Sequence, residues 1–455
     1  MSQSLEPPPP PRPEHDPFAA LRQSSFVLYS LNRIGATIGM AMMQAILAWH
    51  VYDVSGSVLN LGFLGLVRFG PSLAMSMIGG AVADTYDRRM VMIASRSVPF
   101  TGAALLAVAT TGGWVSVPLI FALSAMMGIA MAFEGPARVA LLPAIVKPET
   151  FENAVTVSNT MQKLAQTTGP ALAGGIIALA GPGASYMAFC VVTLISVPPL
   201  LFLRYKHDGS GRKGVSIAAI KEGISFVARR QVLLGAMTLD MFAVIFGGAE
   251  ALLPVYAADI LHTGPAGYGI LRTAMQVGAF AMSFIMVMRR PVRQTGRALI
   301  YTVIVYGIFT IVFGLARDYM LAIVVYGLIG AADQVSVVMR QTTIQLSTPD
   351  ALRGRVSSVN QVFVGASSQI GAMRAGFVAA VTGATFAVVS GGIGAIVVAA
   401  LIAWRMPQLV NYEIPRYDPD REASAAGEDG APPGAVVGTA ASGPGAGNPD
   451  APGRR

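Results

Sequence analysis

The stretch "GGAVADTYDRRMV", residues 79–91, decides the fold. It joins two apolar runs, 57–83 and 91–110, each longer than the ~18 residues that mark a membrane-crossing helix. Gly79 and Gly80 let the first helix approach a neighbour closely. Asp84 sits at the end of that helix, and Arg88 and Arg89 follow. Asp84 and Arg88 are four residues apart and pair if the helix continues through the turn. Alternatively, the carboxylate faces the positive N-terminus of another helix. Either contact can be made in one conformation and broken in another.

The arginines of this turn belong to a bias that runs the length of the chain. Charged residues make up only 12% of the sequence, against ~25% in an average soluble protein. The apolar runs predict twelve spans: 24–51, 57–83, 91–110, 114–134, 154–180, 184–203, 232–257, 267–288, 298–315, 319–340, 355–380 and 384–404. With the N-terminus in the cytoplasm, all but six of the 32 Lys and Arg fall in the tails, cytoplasmic loops or cytoplasmic helix ends. Arg317 falls outside, and Arg33, Arg68, Lys163, Arg272 and Arg374 fall inside spans. This bias sets orientation and places both termini in the cytoplasm. The net charge of +8 therefore points to anionic lipid headgroups, and nucleic acid is excluded as a partner.

The expected layout is an all-α integral membrane protein. It has a disordered tail (1–17), a six-helix bundle (18–204), a cytoplasmic linker (205–231), a second six-helix bundle (232–406) and a disordered tail (407–455). The Pro-rich, acidic start is not a cleavable signal, so the first span should serve as an uncleaved anchor. The two halves repeat weakly. "KPETFENAVTVSN" (147–159) aligns with "TPDALRGRVSSVN" (348–360) at an offset of 201 residues, and Gly175 meets Gly376 at the same offset. A parallel repeat of this kind suits a transporter that rocks about a central cavity.

Several chemistries are excluded. The single cysteine, Cys190, allows no intrachain disulfide and no thiolate metal site. The four histidines share no metal-ligand spacing, so neither a metal nor a cofactor is expected. No phosphate-binding loop is present, which argues against an ATP motor. No nucleophile constellation suggests a membrane-embedded enzyme.

Intramembrane charge is the place to look for function, because a charge at the bilayer centre costs at least ~2.5–3.5 kcal/mol unless partnered. Glu250 is the first candidate for a proton carrier, since Gly247, Gly248 and Pro254 loosen the helix around it. Asp333 is the second, with Arg340 seven residues on as a possible cap. Asp240 is a third proton-coupling candidate, with a gate as the other reading because it lies nearer the cytoplasm, and Glu134 and Arg138 read as a simple pair. Arg33, Arg68, Arg272 and Arg374 are charge partners or contacts for an anionic substrate, whereas Lys163 snorkels to the surface. In "TTGPALAGG" (167–175), Gly169 and Pro170 predict a kink, and Gly174 and Gly175 predict close packing.

The loop at 79–91 resembles the signature loop of the major facilitator superfamily. "ILAWHVYDVSGSVLNLGFLGLVRFGPSLAMSMIGG", "LDMFAVIFGGAEALLPVYAADIL" and "GAADQVSVVMRQTTIQLSTPDALRGRVSSVNQVFVGASS" look like its enterobactin-exporter and macrolide-efflux branch, over roughly residues 18–410. The resemblance implies twelve helices, a monomer in the bacterial inner membrane, alternating access, and export of a small molecule driven by protons. It assigns Gly80, Asp84, Arg88 and Arg89 to the gating loop. The second-half counterpart, "MRRPVRQTGR" (288–297), keeps the basic residues but has no Asp. Gly169, Pro170, Gly174 and Gly175 resemble the antiporter motif. Relatives commonly carry acidic residues near "SSQIGAMRAG" (367–376), where this chain has Gln369, Ala372 and Arg374, so a less cationic substrate is expected. A non-transporting receptor or scaffold with a transporter-derived fold is the alternative, and it would tolerate loss of Glu250, Asp333 and Asp84.

Overall fold

The structure is a computed structural model that describes residues 19–203, 217–288 and 293–413, and the regular elements among them are all helical. They are α1 (Ser24–Ser55), α2 (Val58–Thr85), α3 (Arg88–Thr111), α4 (Val117–Ile145), α5 (Phe151–Ser196), α6 (Pro198–Phe202), α7 (Ile217–Arg229), α8 (Gln231–Phe246), α9 (Leu253–Val255), α10 (Gly264–Met288), α11 (Thr295–Leu315), α12 (Tyr319–Leu346), α13 (Asp350–Thr382), α14 (Ala384–Arg405) and α15 (Pro407–Val410). The expected N-terminal tail, residues 205–216 of the linker, part of the second-half loop counterpart and the C-terminal tail beyond Glu413 lie outside the described residues.

Among the described residues, ten stretches are long and apolar enough to cross a membrane. One of them, Pro148–Phe202, is 55 residues long. At ~1.5 Å per residue that is more than twice a ~30 Å hydrocarbon core. It crosses twice, because Gly181 takes φ 80° and ψ 175° and Pro182 follows it. The helix α13 is too polar to qualify by hydropathy, but its 33 residues are ample for a crossing. The total is twelve. Gly181 is also the only interior break in α5, whose backbone stays helical through Gly169 and Pro170. The kink expected at Gly169–Pro170 is therefore absent from the backbone, and Gly181 is the turn expected between the fifth and sixth spans.

The turns have local causes. Gly56 ends α1 in the left-handed region, with its N–H on the Tyr52 carbonyl. Asp87 caps α3 by accepting from the Arg89 N–H at 2.9 Å, and Asp318 caps α12 by accepting from the Leu321 N–H at 2.8 Å. At the far end, Leu409 of α15 is fully buried, and the Gly296 N–H donates to the Tyr412 carbonyl at 3.1 Å. Leu409 and the Gly296–Tyr412 bond thus tie the segment past 406 to the second group, although Pro407, Gln408, Asn411 and Glu413 are exposed, and regular structure runs beyond the expected start of the tail at 407.

The helices pack as two groups. α1 lies on α5, α2 on α4, and α3 on both α4 and α5. In the second group, α10 lies on α12, α11 on α12 and α14, and α8 on α13 and α14. The groups meet chiefly where α2 crosses α13 and where α5 crosses α10. Both crossings are glycine on glycine. A Cβ on Gly376 would sit 2.7 Å from the Gly62 Cα, and one on Gly174 would sit 2.5 Å from the Gly269 Cα. In the first half the crossing is made by Gly174, while Gly175, which aligns with Gly376 in sequence, faces open space.

The cores are distributed unevenly between the two ends. The end holding the α1–α2 turn is here called distal, and the end holding the α2–α3 turn proximal. On the distal side one apolar core contains residues of both groups, among them Leu47, Trp49, Leu252, Tyr256, Tyr268 and Phe313. On the proximal side the cores are separate: one around Phe26, Met92 and Leu141, one around Leu239, Leu299 and Ile402, and one around Val227, Leu233 and Val356. Two side-chain hydrogen bonds cross the distal seam. Tyr52 donates to Asp259, and the Tyr268 hydroxyl donates to the Ala45 carbonyl at 3.2 Å. The molecule is closed distally and parted proximally.

Replacing Gly174 by Val should cost ~1–3 kcal/mol through overpacking against α10, while Gly175→Val should be close to neutral. Thermal unfolding of the detergent-solubilised variants, measured side by side, checks this.

Candidate substrate cavity and its charge network

Between the two groups lies a cavity in two lobes, of about 410 Å³ and about 520 Å³. Both lobes are lined by Gln44, Met131, Glu250 and Arg272, so the Glu250–Arg272 pair stands on their shared wall. The wall forms because the chain breaks there. After α8 ends at Phe246, Gly248 lies so near α13 that a Cβ would be 2.7 Å from the Gly371 carbonyl oxygen. The Tyr306 hydroxyl donates to the Gly247 carbonyl at 3.1 Å. A 3₁₀ turn, Ala249–Leu252, then carries Glu250 before Pro254. Glu250 is therefore on a non-helical turn rather than at mid-helix. Such backbone is tolerated at membrane depth where it lines a cavity.

Arg272 of α10 is held in a fork. Its Nη2 donates to Glu250 Oε1 at 2.7 Å, and its Nη1 donates to the Tyr268 hydroxyl at 2.9 Å. Asp240 and Arg340 form a second ion pair, nearly buried, on the wall of the larger lobe. Arg340 therefore serves Asp240 and not Asp333, the residue it was expected to cap. Asp333 lines the same lobe, and no ion pair reaches it among the described residues. The exposed Lys163 of α5 is near enough to act on Asp333 electrostatically.

A third network adds to the expected pairs. Arg96 of α3, only 4% exposed, donates to Glu134 from Nε at 3.2 Å and from Nη2 at 2.9 Å. It also reaches Asn32 Oδ1 at 3.1 Å, and the Asn32 amide donates to the Ser196 carbonyl at 2.6 Å. Four helical segments are tied together in this way beside the smaller lobe. The expected Glu134–Arg138 pair is present but long, at 3.9 Å. Arg96 stands near the start of its helix and reads in sequence as one more proximal charge, so only the depth of its burial distinguishes it.

The other arginines divide. Arg68 of α2 lines the larger lobe, and its one hydrogen-bond contact is with the Met131 sulfur at 3.8 Å. Arg33 lines neither lobe; it donates to the Tyr29 hydroxyl at 2.9 Å and to Gln162, holding α1 against α5. Arg374 lines neither lobe as well. It donates to the Ala387 carbonyl at 2.9 Å and lies over the Phe246 ring at 5.5 Å, which ties α13 to α14 and α8.

The turn at 79–91 is built differently from its expected form. Gly79, not Gly80, makes the close contact: a Cβ on Gly79 would collide with the Ala132 carbonyl, whereas one on Gly80 meets open space. The helix does not run through the turn, because Tyr86 is extended (φ −104°, ψ 163°), so Asp84 and Arg88 do not pair. Arg88 donates to the Ala140 carbonyl at 2.9 Å. Arg89 pairs with Asp87 at 3.0 Å and donates to the Leu203 carbonyl. Burial pushes the Asp87 carboxyl up, but the Arg89 side chain and the backbone N–H groups of Arg89 and Met90 outweigh this and hold it below the usual carboxylate range. Its stabilising contribution is present above the unfolded carboxylate value and is lost as pH falls through the lower folded one.

Twelve crossings in two packed groups around a charged central cavity define a multi-pass membrane transporter of the major facilitator superfamily. Within that class the chain belongs to the transmembrane secretion effector family, which it matches over residues 15–425. It is 25% identical to a staphyloferrin A transporter of Staphylococcus aureus, over 74% of this chain and 83% of that one. It is 23% identical to an enterobactin exporter of Citrobacter koseri, over 89% of this chain and 95% of that one. Among solved structures, its fold is similar to a POT family transporter crystallised with 5-aminolevulinic acid, with a TM-score of 0.67 at 12% identity over 84% of this chain and 96% of that one.

Glu134→Ala leaves Arg96 buried without its carboxylate, and breaking such a pair costs ~3–5 kcal/mol. The double variant Arg96→Leu/Glu134→Leu should recover most of that loss in a detergent thermal-unfolding assay.

Proposed function

We propose that the chain is a proton-coupled exporter in the bacterial inner membrane. It moves small amphipathic organic molecules, drug-like or siderophore-like, outward by alternating access. The observation that carries this reading is the Glu250–Arg272 pair, set at the head of a cleft that is joined distally and parted proximally. The Lys and Arg bias supports placing the proximal end in the cytoplasm, with both termini there. On that orientation the cleft accepts cargo from the cytoplasm, as an exporter must.

The roles follow from placement. Glu250 carries the proton: half-exposed to the cavity and paired with Arg272, it is charged when it holds the fork and neutral when it releases it. Asp333 is a second proton acceptor on the larger lobe, and the Asp240–Arg340 pair, nearest the proximal mouth, acts as a gate. Arg68, without a carboxylate partner among the described residues, offers one to an acidic group on the cargo. At about 520 Å³, the larger lobe falls within the ~300–1,000 Å³ typical of small-molecule sites. Arg88 and Arg89, now engaged within the first group, are free to exchange partners when the proximal ends close. The names of the relatives make siderophores reasonable first cargoes to test, and a monomer is the working assembly.

The test is enterobactin transport in proteoliposomes with a pH-sensitive dye inside. Wild type should move protons against the enterobactin flux. Glu250→Gln should keep enterobactin binding and lose ~10-fold or more of the coupled proton movement, the scale of one charged interaction. Asp333→Asn should weaken coupling to a lesser degree. Unchanged pH dependence in both variants would reject these proton sites. A wild type that moves neither protons nor any siderophore, in cells or liposomes, would favour the receptor reading.

A further inference from the structure

The fork on Arg272 reaches further than the cavity. One arm holds Glu250 at 2.7 Å. The other holds the Tyr268 hydroxyl at 2.9 Å, and that hydroxyl in turn donates to the Ala45 carbonyl of α1 at 3.2 Å. Ala45 belongs to the opposite group of helices, so this is a chain from the cavity carboxylate to the distal seam. Every member between the ends is buried or nearly so: Tyr268 and Ala45 are 0% exposed, and the Arg272 side chain is 13% exposed. The Tyr268 ring also packs against Trp49 of α1, with centroids 5.6 Å apart.

We propose that Tyr268 is a positioning residue that locks the distal seam while Glu250 is charged and the cavity is empty. This rests on the export reading above and adds what exchange requires: an empty, deprotonated carrier that does not turn over and leak. With Glu250 charged, the guanidinium is anchored on both arms and presents Nη1 to Tyr268. The phenol, as acceptor of that bond, keeps its own proton aimed at Ala45. When Glu250 takes a proton, its arm loses the charge-assisted bond. The guanidinium is then free to swing toward the cavity, and the Tyr268–Ala45 bond loses its brace. A cargo acid that draws Arg272 from Glu250 has the same effect, so either passenger opens the lock and an empty carrier does not. The charged and titratable groups that share the cavity walls with Glu250 and Arg272 are Arg96 on α3 and Glu134 and Arg138 on α4 in the smaller lobe, and Arg68 on α2, Asp240 on α8, Tyr306 on α11 and Tyr326, Asp333 and Arg340 on α12 in the larger. The second seam bond, Tyr52 to Asp259, has no connection to the cavity carboxylates among the described residues, which makes the Tyr268 route the one that senses occupancy.

Hydrogen–deuterium exchange of the protein in phosphatidylcholine nanodiscs tests the lock without requiring transport. Tyr268→Phe keeps the ring and removes only the hydroxyl. It should speed exchange ~10-fold in the peptides covering 42–52 and 253–268, the scale of one hydrogen bond to a charged group. Glu250→Gln should do the same, and the double variant should exceed neither single, because both cut one chain. Tyr256→Phe is the control: it also removes a buried hydroxyl bond, but one made to the Gly314 carbonyl within the same group, and it should leave the 42–52 peptide on the opposite side of the seam unchanged. In liposomes without cargo, Tyr268→Phe should raise proton leak above wild type. Additive effects of Tyr268→Phe and Glu250→Gln on exchange, or a response of the 42–52 peptide to Tyr256→Phe equal to that to Tyr268→Phe, overturn the lock. Loss of the export reading would show separately, as a wild type with no coupled proton movement.

Discussion

A guanidinium cannot be left alone in a dry interior, and the centre of this molecule is arranged around that constraint. Arg272 is the clearest case, because its two arms point to different parts of the protein, one to the cavity and one to the seam. Three other arginines have their own solutions, whereas Arg68 has only the Met131 sulfur among the described residues. Arg96 takes Glu134, Arg340 takes Asp240, and Arg374 takes a backbone carbonyl and an aromatic face. These solutions differ in reversibility. Arg96 lies inside one group, with four segments gathered on it, and its network suits a fixed brace. Arg272 lines the cavity between the groups, where a change of charge can be felt.

The same constraint explains the shape of α8 and of the turn that carries Glu250. A continuous helix would satisfy its own backbone and present Glu250 to whatever lay beside it. The break after Phe246 puts non-helical peptide units at membrane depth, supported by Tyr306 and by the approach of α13. The broken backbone lies where it lines the cavity, the setting in which such backbone is tolerated.

The fold is largely legible in the sequence, because hydropathy, charge bias and Gly/Pro punctuation are local properties. The break between the fifth and sixth crossings falls where the apolar runs divide, and Glu250 lies on the loosened segment that Gly247, Gly248 and Pro254 announce. Partners are less legible. Spacing along one helix assigns Arg340 to Asp333, but Asp240 reaches it from another helix, which no spacing can reveal. Asp84 and Arg88 stand at the right interval for a helix that in fact stops between them. Arg33 and Arg374 carry the same in-span signal as Arg68 and Arg272, and only the direction of the side chain separates the cavity residues from the ties. Of each glycine pair named for close packing only one member makes the contact, Gly79 and not Gly80, Gly174 and not Gly175, because a one-residue step turns a helix by about 100° and so changes which face meets the neighbour.

The two crossings where the groups meet have a mechanical consequence. Most helix contacts interlock, with side chains of one seated between those of the other, and turning such a joint means lifting each chain out of its seat. At Gly62–Gly376 and Gly174–Gly269 main chain rests on main chain. These are smooth bearings rather than gears. In the alternating access proposed above, one group would roll on the other with few rotamers to re-seat, which would leave the energy of the movement to the ions and rings at its two ends.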